Sequence, residues 1–209
     1  MGDLMDGGRE WKDEGWQKEV DRFFRLFNSQ APTYYMVGNH DIGFGNGIRP
    51  DVKRRFISAF GPTSYFVNMT NYVLVVIDTV SLSSSDPNVY QDALDVMTSS
   101  LPPLPRILMT HVPLYRPEGT YCGPDRWQSR PGGIRDGQGY QYQNLLSPEL
   151  SKQLLDHINP KAIFSGDDHD YCAVTHRPGV TEYTVPTFSM AQGLRYPGVM
   201  LLDLSSSEP

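Results

Sequence analysis

The clearest indication of architecture in this chain is Tyr34-Tyr35-Met36-Val37-Gly38-Asn39-His40-Asp41, where an apolar run leads into an amide, an imidazole and a carboxylate. Such a run is typical of a buried strand, and α/β enzymes place their reacting groups on the loops that follow such strands. Three further stretches carry similar side chains, namely Gly2-Asp3-Leu4-Met5-Asp6, Thr110-His111 and Ser165-Gly166-Asp167-Asp168-His169-Asp170. Together they predict one site at one edge of a sheet.

Hydrophobic periodicity along the rest of the chain predicts alternating helices and strands. Apolar residues at three- and four-residue steps predict an amphipathic helix over 14–28, and further helices are expected over 50–60, 89–100 and 148–158. Strands are expected over 33–37, 65–67, 72–78, 106–109, 161–164, 181–185, 187–190 and 198–204, the second and third as a hairpin. This order indicates the α/β (α+β) class with a more β-rich second half.

Length, composition and charge restrict the class of protein. The chain has 209 residues, which suits a single domain over 1–209, and its net charge is −6. An acidic chain offers no general surface to a phosphate backbone, so no nucleic-acid partner is expected. The sequence contains neither an apolar stretch of membrane-spanning length nor a signal-peptide core, so this chain alone reads as soluble.

The segment 116–144 lacks periodicity and is expected to form a long loop within that domain. Its arginines are candidates to face an anionic substrate, and its aromatic residues are candidates to stack on a sugar or base. These residues are Arg116, Arg126, Arg130 and Arg135, and Tyr121, Trp127, Tyr140 and Tyr142. A solvated surface loop is an equally good interpretation.

The residue types at the strand ends suit hydrolysis of a phosphate ester. Two metal ions about 3.5–4 Å apart neutralise phosphoryl oxygens and supply hydroxide at neutral pH. The oxygen and imidazole donors that such ions require are present at Asp3, Asn39, His111, Asp167 and His169. Each residue taken alone is more often a turn former or a satisfied polar group, so the joint placement carries the prediction.

The ordered set of motifs resembles the calcineurin-like metallophosphoesterase superfamily over nearly the whole chain. The motifs are Gly2-Asp3-x-x-Asp6, Gly38-Asn39-His40-Asp41, His111 and Gly166-x-x-His169. The resemblance implies a four-layer β-sandwich flanked by helices. The sequences of 2–9, 111–116 and 165–172 are similar to those of the eukaryotic ER and Golgi branch that remodels GPI anchors. This resemblance implies a phosphodiesterase that removes ethanolamine phosphate from a GPI-anchor glycolipid.

The resemblance also implies which residues hold metal. Asp3 would bridge two divalent ions, with Mn favoured and Fe or Zn as alternatives. Asn39, His111 and Asp167 would complete the second ion's ligands, and His169 would bind the first ion.

Catalytic and substrate roles follow from the same resemblance. His40 would stand beside the leaving oxygen as general acid or as a positive charge on the phosphoryl group, and Asp41 is a candidate to orient its ring. Arg9 and Arg116 are candidates to contact the phosphate.

Two departures from the family pattern qualify this interpretation. The family's Gly-His-x-His is Gly166-Asp167-Asp168-His169 here, and the harder carboxylate favours Mn or Fe over Zn. Nothing before Met1 supplies the family's Asp-x-His, so the chain is expected to be N-terminally incomplete and to lack the first strand.

Location and alternative functions stay open at this stage. By resemblance, the complete protein would be a membrane protein of the ER or Golgi lumen, anchored by segments absent from this chain. Cys122 and Cys172 could form one disulfide or stay separate, and Asn68-Met69-Thr70 is a glycosylation sequon that matters only in the secretory pathway. The alternatives are a cytosolic protein phosphatase or nuclease of the same superfamily, and a non-catalytic truncated remnant.

Overall fold

A computed structural model describes residues 1–127 and 133–205. Its α-helices are α1 (Asp13–Leu26), α2 (Asn39–Ile42), α3 (Pro50–Phe60), α4 (Thr79–Leu82), α5 (Pro87–Thr98) and α6 (Pro148–Ile158). Its strands are β1 (Tyr65–Asn68), β2 (Val73–Ile77), β3 (Arg106–Thr110), β4 (Gln138–Gly139), β5 (Tyr142–Gln143), β6 (Ala162–Ser165), β7 (Cys172–Arg177) and β8 (Val180–Thr184). Short 3₁₀ turns occupy Gly45–Gly47 and Met190–Gln192.

The larger sheet is mixed and has the strand order β1-β2-β3-β6-β8-β7. The four central strands are parallel, and β1 and β7 pair with their neighbours in antiparallel fashion. Because parallel strands end at the same edge, β3 delivers His111 and β6 delivers Gly166 and the residues after it to one place. The predicted α/β class is confirmed.

Local sequence signals explain where the helices begin and end. In α6 the Ser147 side chain accepts a hydrogen bond from the Leu150 amide, Pro148 occupies the first turn, and Asn159 ends the helix in the left-handed conformation. In α3 Pro50 likewise opens the helix, and Gly61 with φ +88° ends it. Both helices therefore match their predicted ranges.

The main core lies between the sheet and the helices. Trp16 of α1 packs edge-on against Phe60 of α3 with ring centroids 6.2 Å apart, and both rings are buried. The same cluster includes Val73, Val75 and Ile77 of β2 and Leu154, Leu155 and Ile158 of α6. The opposite face of the sheet carries a smaller cluster, which includes Ile107 and Phe164.

Three expected strands are not formed. Residues 33–37 have no ladder partner in the described part of the chain, and only Met36 and Val37 of that run are buried while Tyr34 is 46% exposed. Residues 187–190 and 198–204 also form no ladder in the described part of the chain, although the Gly198 amide donates to the Thr187 carbonyl oxygen over 2.9 Å, and Leu201 is 96% exposed. A strand requires a hydrogen-bonding neighbour, which periodicity alone does not provide.

The four-layer sandwich is therefore corrected for the described residues. They form one six-stranded sheet and the two-stranded β4–β5 hairpin instead of two stacked sheets. Strand β7 was not predicted, because its half-polar sequence belongs to an edge strand with a register shift between Thr175 and Arg177. No helix within 1–127 or 133–205 has the length and apolar character needed to cross a membrane.

Candidate metal centre

Four of the predicted ligands meet at the carboxyl edge of the parallel strands. The Nε2 atom of His111 lies 3.1 Å from Oδ1 of Asn39. The same nitrogen lies 3.3 Å from Oδ1 of Asp3 and 3.3 Å from Oδ1 of Asp167. Residues separated by more than 160 positions in the chain thus present one nitrogen and three oxygens to a common point.

The backbone around this point is strained and crowded. Asp3 and Asp167 both adopt left-handed conformations, with φ +54° and φ +62°, which non-glycine residues adopt rarely. Gly38 is required by a close approach, because a Cβ atom there would lie 2.2 Å from Oδ1 of Asp3. That oxygen accepts a 3.0 Å hydrogen bond from the His40 amide, which holds the Asp3 carboxylate in place.

The ring of His111 is oriented by a contact on the side away from the carboxylates. Its side chain is 2% exposed, and its Nδ1 lies 2.7 Å from the Met1 carbonyl oxygen, which can only accept. Nδ1 therefore carries the proton, and Nε2 faces the carboxylates. Burial lowers the pKa of His111, but Asp3 and Asp167 outweigh burial and raise it to about 9. The concentration of negative charge favours a cation at this point.

The donor set fits a divalent metal ion. The ligand atoms of Asp3, His111 and Asp167 lie within 4.8 Å of one another. Neighbouring ligands of an octahedral ion with bonds of about 2.1 Å are about 3 Å apart, close to the spacing of Nε2 from its three oxygen neighbours. Three oxygens and one imidazole suit a hard or borderline ion.

His169 is not part of this three-residue cluster. It lies two residues after Asp167 with φ +69°, so it shares the same strained loop. Its predicted place on a separate ion stays a prediction, and the described residues assemble the ligands of one ion.

The ring of His40 has a different neighbour from the one expected. Its Nδ1 lies 2.9 Å from the carbonyl oxygen of Asp6 and 3.2 Å from the Asp6 carboxylate. Asp41, expected to orient that ring, is instead fully buried and accepts 2.7 Å hydrogen bonds from the amides of Met5 and Gly38. Burial first, and then the charge of Asp3, raise the pKa of Asp41 to about 8. Asp41 thus joins the two motif loops, and Asp6 is the residue that contacts the ring.

The two candidate phosphate contacts also differ from each other. Arg9 lies beside the site, where its Nη1 donates to the Asn39 carbonyl oxygen over 3.1 Å. Arg116 is 1% exposed, and its Nη2 lies 2.9 Å from the carboxylate of buried Glu182. The prediction that Arg116 contacts substrate is therefore wrong, since its guanidinium is enclosed in an internal ion pair.

The 116–144 loop is attached to the site at several points. Cys122 forms a disulfide with Cys172, the first residue of β7. Arg126 pairs with the Asp168 carboxylate through two contacts of 2.5 and 3.3 Å. At the far end of the loop, the Gln141 carbonyl oxygen accepts from the Asn39 side chain over 2.9 Å. Arg130 lies outside the described residues.

Sequence reasoning gave Gln141 no role, because nothing in its local pattern distinguishes it. The aromatic side chains of the loop are exposed, and they are Tyr121, Trp127, Tyr140 and Tyr142. Tyr140, 86% exposed, precedes Gln141, whose carbonyl oxygen contacts the candidate ligand Asn39.

A family profile and two curated proteins match the sequence of this chain. The sequence profile described as calcineurin-like phosphoesterase matches residues 1–171. "Cell division control protein 1" of Saccharomyces cerevisiae is 40% identical over 219 residues, covering 98% of this chain and 44% of that protein. "Metallophosphoesterase 1" of Mus musculus is 27% identical over 214 residues, covering 90% of this chain and 53% of that protein. The chain thus spans about half the length of these curated relatives.

Among solved structures, a dimetal phosphatase from Danio rerio matches with a TM-score of 0.48 and 11% identity. The match covers 89% of this chain and 70% of that chain.

Proposed function

The chain belongs to the calcineurin-like phosphoesterase family, and on that premise we propose that it hydrolyses phosphodiesters at the site formed by Asp3, Asn39, His111 and Asp167. The observation that carries the proposal is the convergence of one imidazole nitrogen and three oxygens at 3.1–3.3 Å. Divalent metal ions bound there neutralise charge on the phosphoryl group and lower the pKa of an attacking water.

The chain's own residues supply the remaining functions. The ring of His40 is partly exposed, and we assign its Nε2 the role of giving a proton to the leaving alkoxide. Asp6 holds the ring by Nδ1, which fixes which nitrogen faces the substrate. Arg9 adds a positive charge beside Asn39, where a phosphate oxygen would be attracted.

A second metal ion is part of the proposal. His169 would contribute to it, with Asp3 bridging to the ion held by His111. The oxygen-rich donor set supports Mn as the preferred ion, with Fe or Zn as alternatives.

For the substrate, we propose ethanolamine phosphate on a GPI-anchor glycolipid in the ER or Golgi. The wording of the motifs supports this choice, and the Cys122–Cys172 disulfide supports an oxidising compartment. The exposed aromatic residues near Gln141 offer flat surfaces to the sugar rings of a glycan. A cytosolic phosphatase is disfavoured by the disulfide, and a nuclease is disfavoured by the net charge of −6.

A non-catalytic remnant is the competing function, and the separation of His169 from the three-residue cluster favours it. Metal stoichiometry separates the two. Two tightly bound ions per chain would contradict the remnant, and none would contradict catalysis by this chain.

The direct test compares two histidine variants. His111→Ala removes a buried ligand, and His157→Ala removes an exposed histidine near the end of α6. With Mn-loaded protein and bis-p-nitrophenyl phosphate, we expect His111→Ala to abolish hydrolysis and His157→Ala to retain the wild-type rate. Release of ethanolamine phosphate from a GPI glycan, measured by mass spectrometry, then tests the substrate. Equal activity of wild type and His111→Ala would refute the proposed site.

A further inference from the structure

The tip of the 116–144 loop contacts the one amide among the metal ligands. Gln141 lies in the two-residue turn between β4 and β5 with φ +61°. Its carbonyl oxygen accepts a 2.9 Å hydrogen bond from Nδ2 of Asn39, a residue 102 positions away. A non-glycine residue with positive φ is held there by its surroundings.

The Gln141 side chain provides those surroundings. Its Oε1 accepts a 2.6 Å hydrogen bond from the Phe44 amide, and its Nε2 donates over 3.1 Å to the Gly47 carbonyl oxygen. The side chain packs so closely that a Cβ atom on Gly43 or Gly47 would lie 2.7 or 2.4 Å from it. The side chain therefore fixes the turn to the segment that follows Asn39.

This contact decides which end of the Asn39 amide faces the site. The nitrogen and oxygen of an amide are similar in size, so shape alone does not select between the two orientations. A carbonyl oxygen can only accept, so Gln141 selects the orientation in which Nδ2 points to the loop. Oδ1 then points toward Nε2 of His111, 3.1 Å away, where an oxygen ligand is needed.

We propose that Gln141 is a positioning residue for the metal site: its carbonyl orients the Asn39 amide, and its side chain holds that carbonyl in place. The proposal rests on the proposed metal site for its effect on binding. The hydrogen bond itself does not depend on metal, so it can be tested in metal-free protein.

Two variants and one control test the proposal. Gln141→Leu keeps the side-chain volume but loses both hydrogen bonds, and Gln141→Gly loses them while relieving the positive φ. Gln138→Leu makes the same change at an exposed glutamine of β4 and should bind Mn²⁺ as the wild type does. By isothermal titration we expect each Gln141 variant to bind Mn²⁺ about 10- to 100-fold more weakly.

A double-mutant cycle separates positioning from general damage. If Gln141 acts through Asn39, then adding Gln141→Leu to Asn39→Ala should cost no further affinity. Losses that multiply would overturn the proposal, and so would wild-type affinity in both Gln141 variants.

A metal-free readout keeps this result distinct from the proposed function. In ¹⁵N-labelled wild type we expect the Asn39 side-chain amide protons to exchange slowly with solvent, and in Gln141→Leu to exchange rapidly. Fast exchange in the wild type would overturn the positioning role. Slow exchange in a wild-type protein that binds no Mn²⁺ would instead contradict the proposed function alone.

A separate observation concerns the hairpin at the opposite end of the sheet. Asn68 ends β1, is exposed, and begins the sequon Asn68-Met69-Thr70 in the turn closed by the hydrogen bond from the Met69 amide to the Tyr72 carbonyl oxygen. The disulfide between Cys122 and Cys172 indicates an oxidising compartment, which is where such sequons are modified.

The position of Asn68 is compatible with a bulky modification. Asn68 pairs with Val73 at the amino end of β2, whereas the metal ligands lie beyond the carboxyl ends of the parallel strands. A glycan there would leave the metal centre open. It would also cover the edge of β1 that has no ladder partner among the described residues, where Phe66 is exposed, and so oppose pairing with another chain.

From these features we infer that Asn68 carries an N-linked glycan. Its Nδ2 would lose a proton and bond to the anomeric carbon of an oligosaccharide, while that carbon's bond to the diphosphate of a lipid-linked donor breaks. The test is expression of the chain through the secretory pathway of a eukaryotic host, followed by digestion with peptide N-glycosidase.

We expect a mobility shift on digestion for the wild type and for Thr70→Ser, which preserves the sequon. Thr70→Ala should show none, and Asn71→Gln, a neighbouring asparagine outside the sequon, should behave as the wild type. Unmodified Asn68 in wild-type protein whose disulfide has formed would overturn the inference, as would a shift that persists in Thr70→Ala.

Discussion

Replacing Arg116 by alanine should destabilise the fold without weakening the metal site. Its guanidinium is enclosed, with Nη2 2.9 Å from the Glu182 carboxylate. That carboxylate also contacts the Leu114 amide at 3.1 Å, the His176 ring at 2.6 Å and the side chain of Ser165. The variant therefore leaves a fully buried carboxylate without its principal counter-charge.

The expected magnitude follows from that burial. Removing one partner of a buried ion pair costs about 3–5 kcal/mol, because the remaining charge stays desolvated. For a chain of this size, 1 kcal/mol shifts Tm by about 2–4 °C, so a fall of about 6–20 °C is expected. Arg54→Ala, which removes an exposed arginine of α3, should shift Tm by less than about 2 °C.

The loss should depend on pH. Burial raises the pKa of Glu182, but Arg116 and then His176 outweigh it and hold the pKa below the ordinary 4.5. A lowered pKa contributes stability above about pH 4.5 that is lost as the pH falls. In Arg116→Ala, burial raises the pKa of Glu182, so the ionised carboxylate destabilises the fold instead of stabilising it. The Tm difference between wild type and variant should therefore be largest at neutral pH and narrow below about pH 4.5.

Thermal unfolding followed by circular dichroism, together with Mn²⁺ titration, measures both properties. The reasoning is refuted if Arg116→Ala keeps the wild-type Tm while its KM for a phosphodiester rises, because that pattern belongs to a residue that contacts substrate.

Three further changes test the site and the loop. His40→Asn should lower kcat about 10²- to 10⁴-fold with unchanged metal content, and a fall in metal measured by mass spectrometry would instead identify the ring as a ligand. Gly38→Ala should weaken Mn²⁺ binding, because its Cβ would lie 2.2 Å from Oδ1 of Asp3; equilibrium dialysis showing wild-type affinity would contradict this. Replacing Cys122 and Cys172 by alanine should lower the free energy of unfolding by about 4 kcal/mol on the chain-entropy estimate for a separation of 50 residues, and an unchanged urea midpoint would count against it.

The sequence predicted those elements whose boundaries have local chemical causes. Helices α3 and α6 matched because proline opens each of them and a residue with positive φ closes each of them. The expected strands over 33–37, 187–190 and 198–204 failed because pairing depends on a neighbour from elsewhere in the chain. Periodicity describes one face of a segment and does not identify its partner.

The same distinction applies to the site. Asp3, Asn39, His111 and Asp167 were predicted because they follow motifs in a recognisable order, and the structure brings them together. The contacts of the other predicted site residues could not be predicted from the sequence, because they depend on burial against distant segments. Glu182, on β8, forms the ion pair that encloses Arg116 in the interior.

The surroundings of Asp41 and Asn39 also depend on contacts between residues far apart in the chain. The carboxylate of Asp41 accepts hydrogen bonds from the amides of Met5 and Gly38 instead of orienting the ring of His40. Gln141 had no motif at all, and its contact with Asn39 exists only because the long loop folds back over the motif segment.

The disulfide that links the 116–144 loop to β7 also constrains the order of events during synthesis of the chain. Cys172 is synthesised 50 residues after Cys122, which is about 3–10 s at ordinary translation rates. These are the two cysteines of the 209 residues, so during that interval Cys122 has no partner within them. Asp167 also emerges only just before Cys172, so the newborn chain gains the last of the four converging candidate ligands and its disulfide almost together.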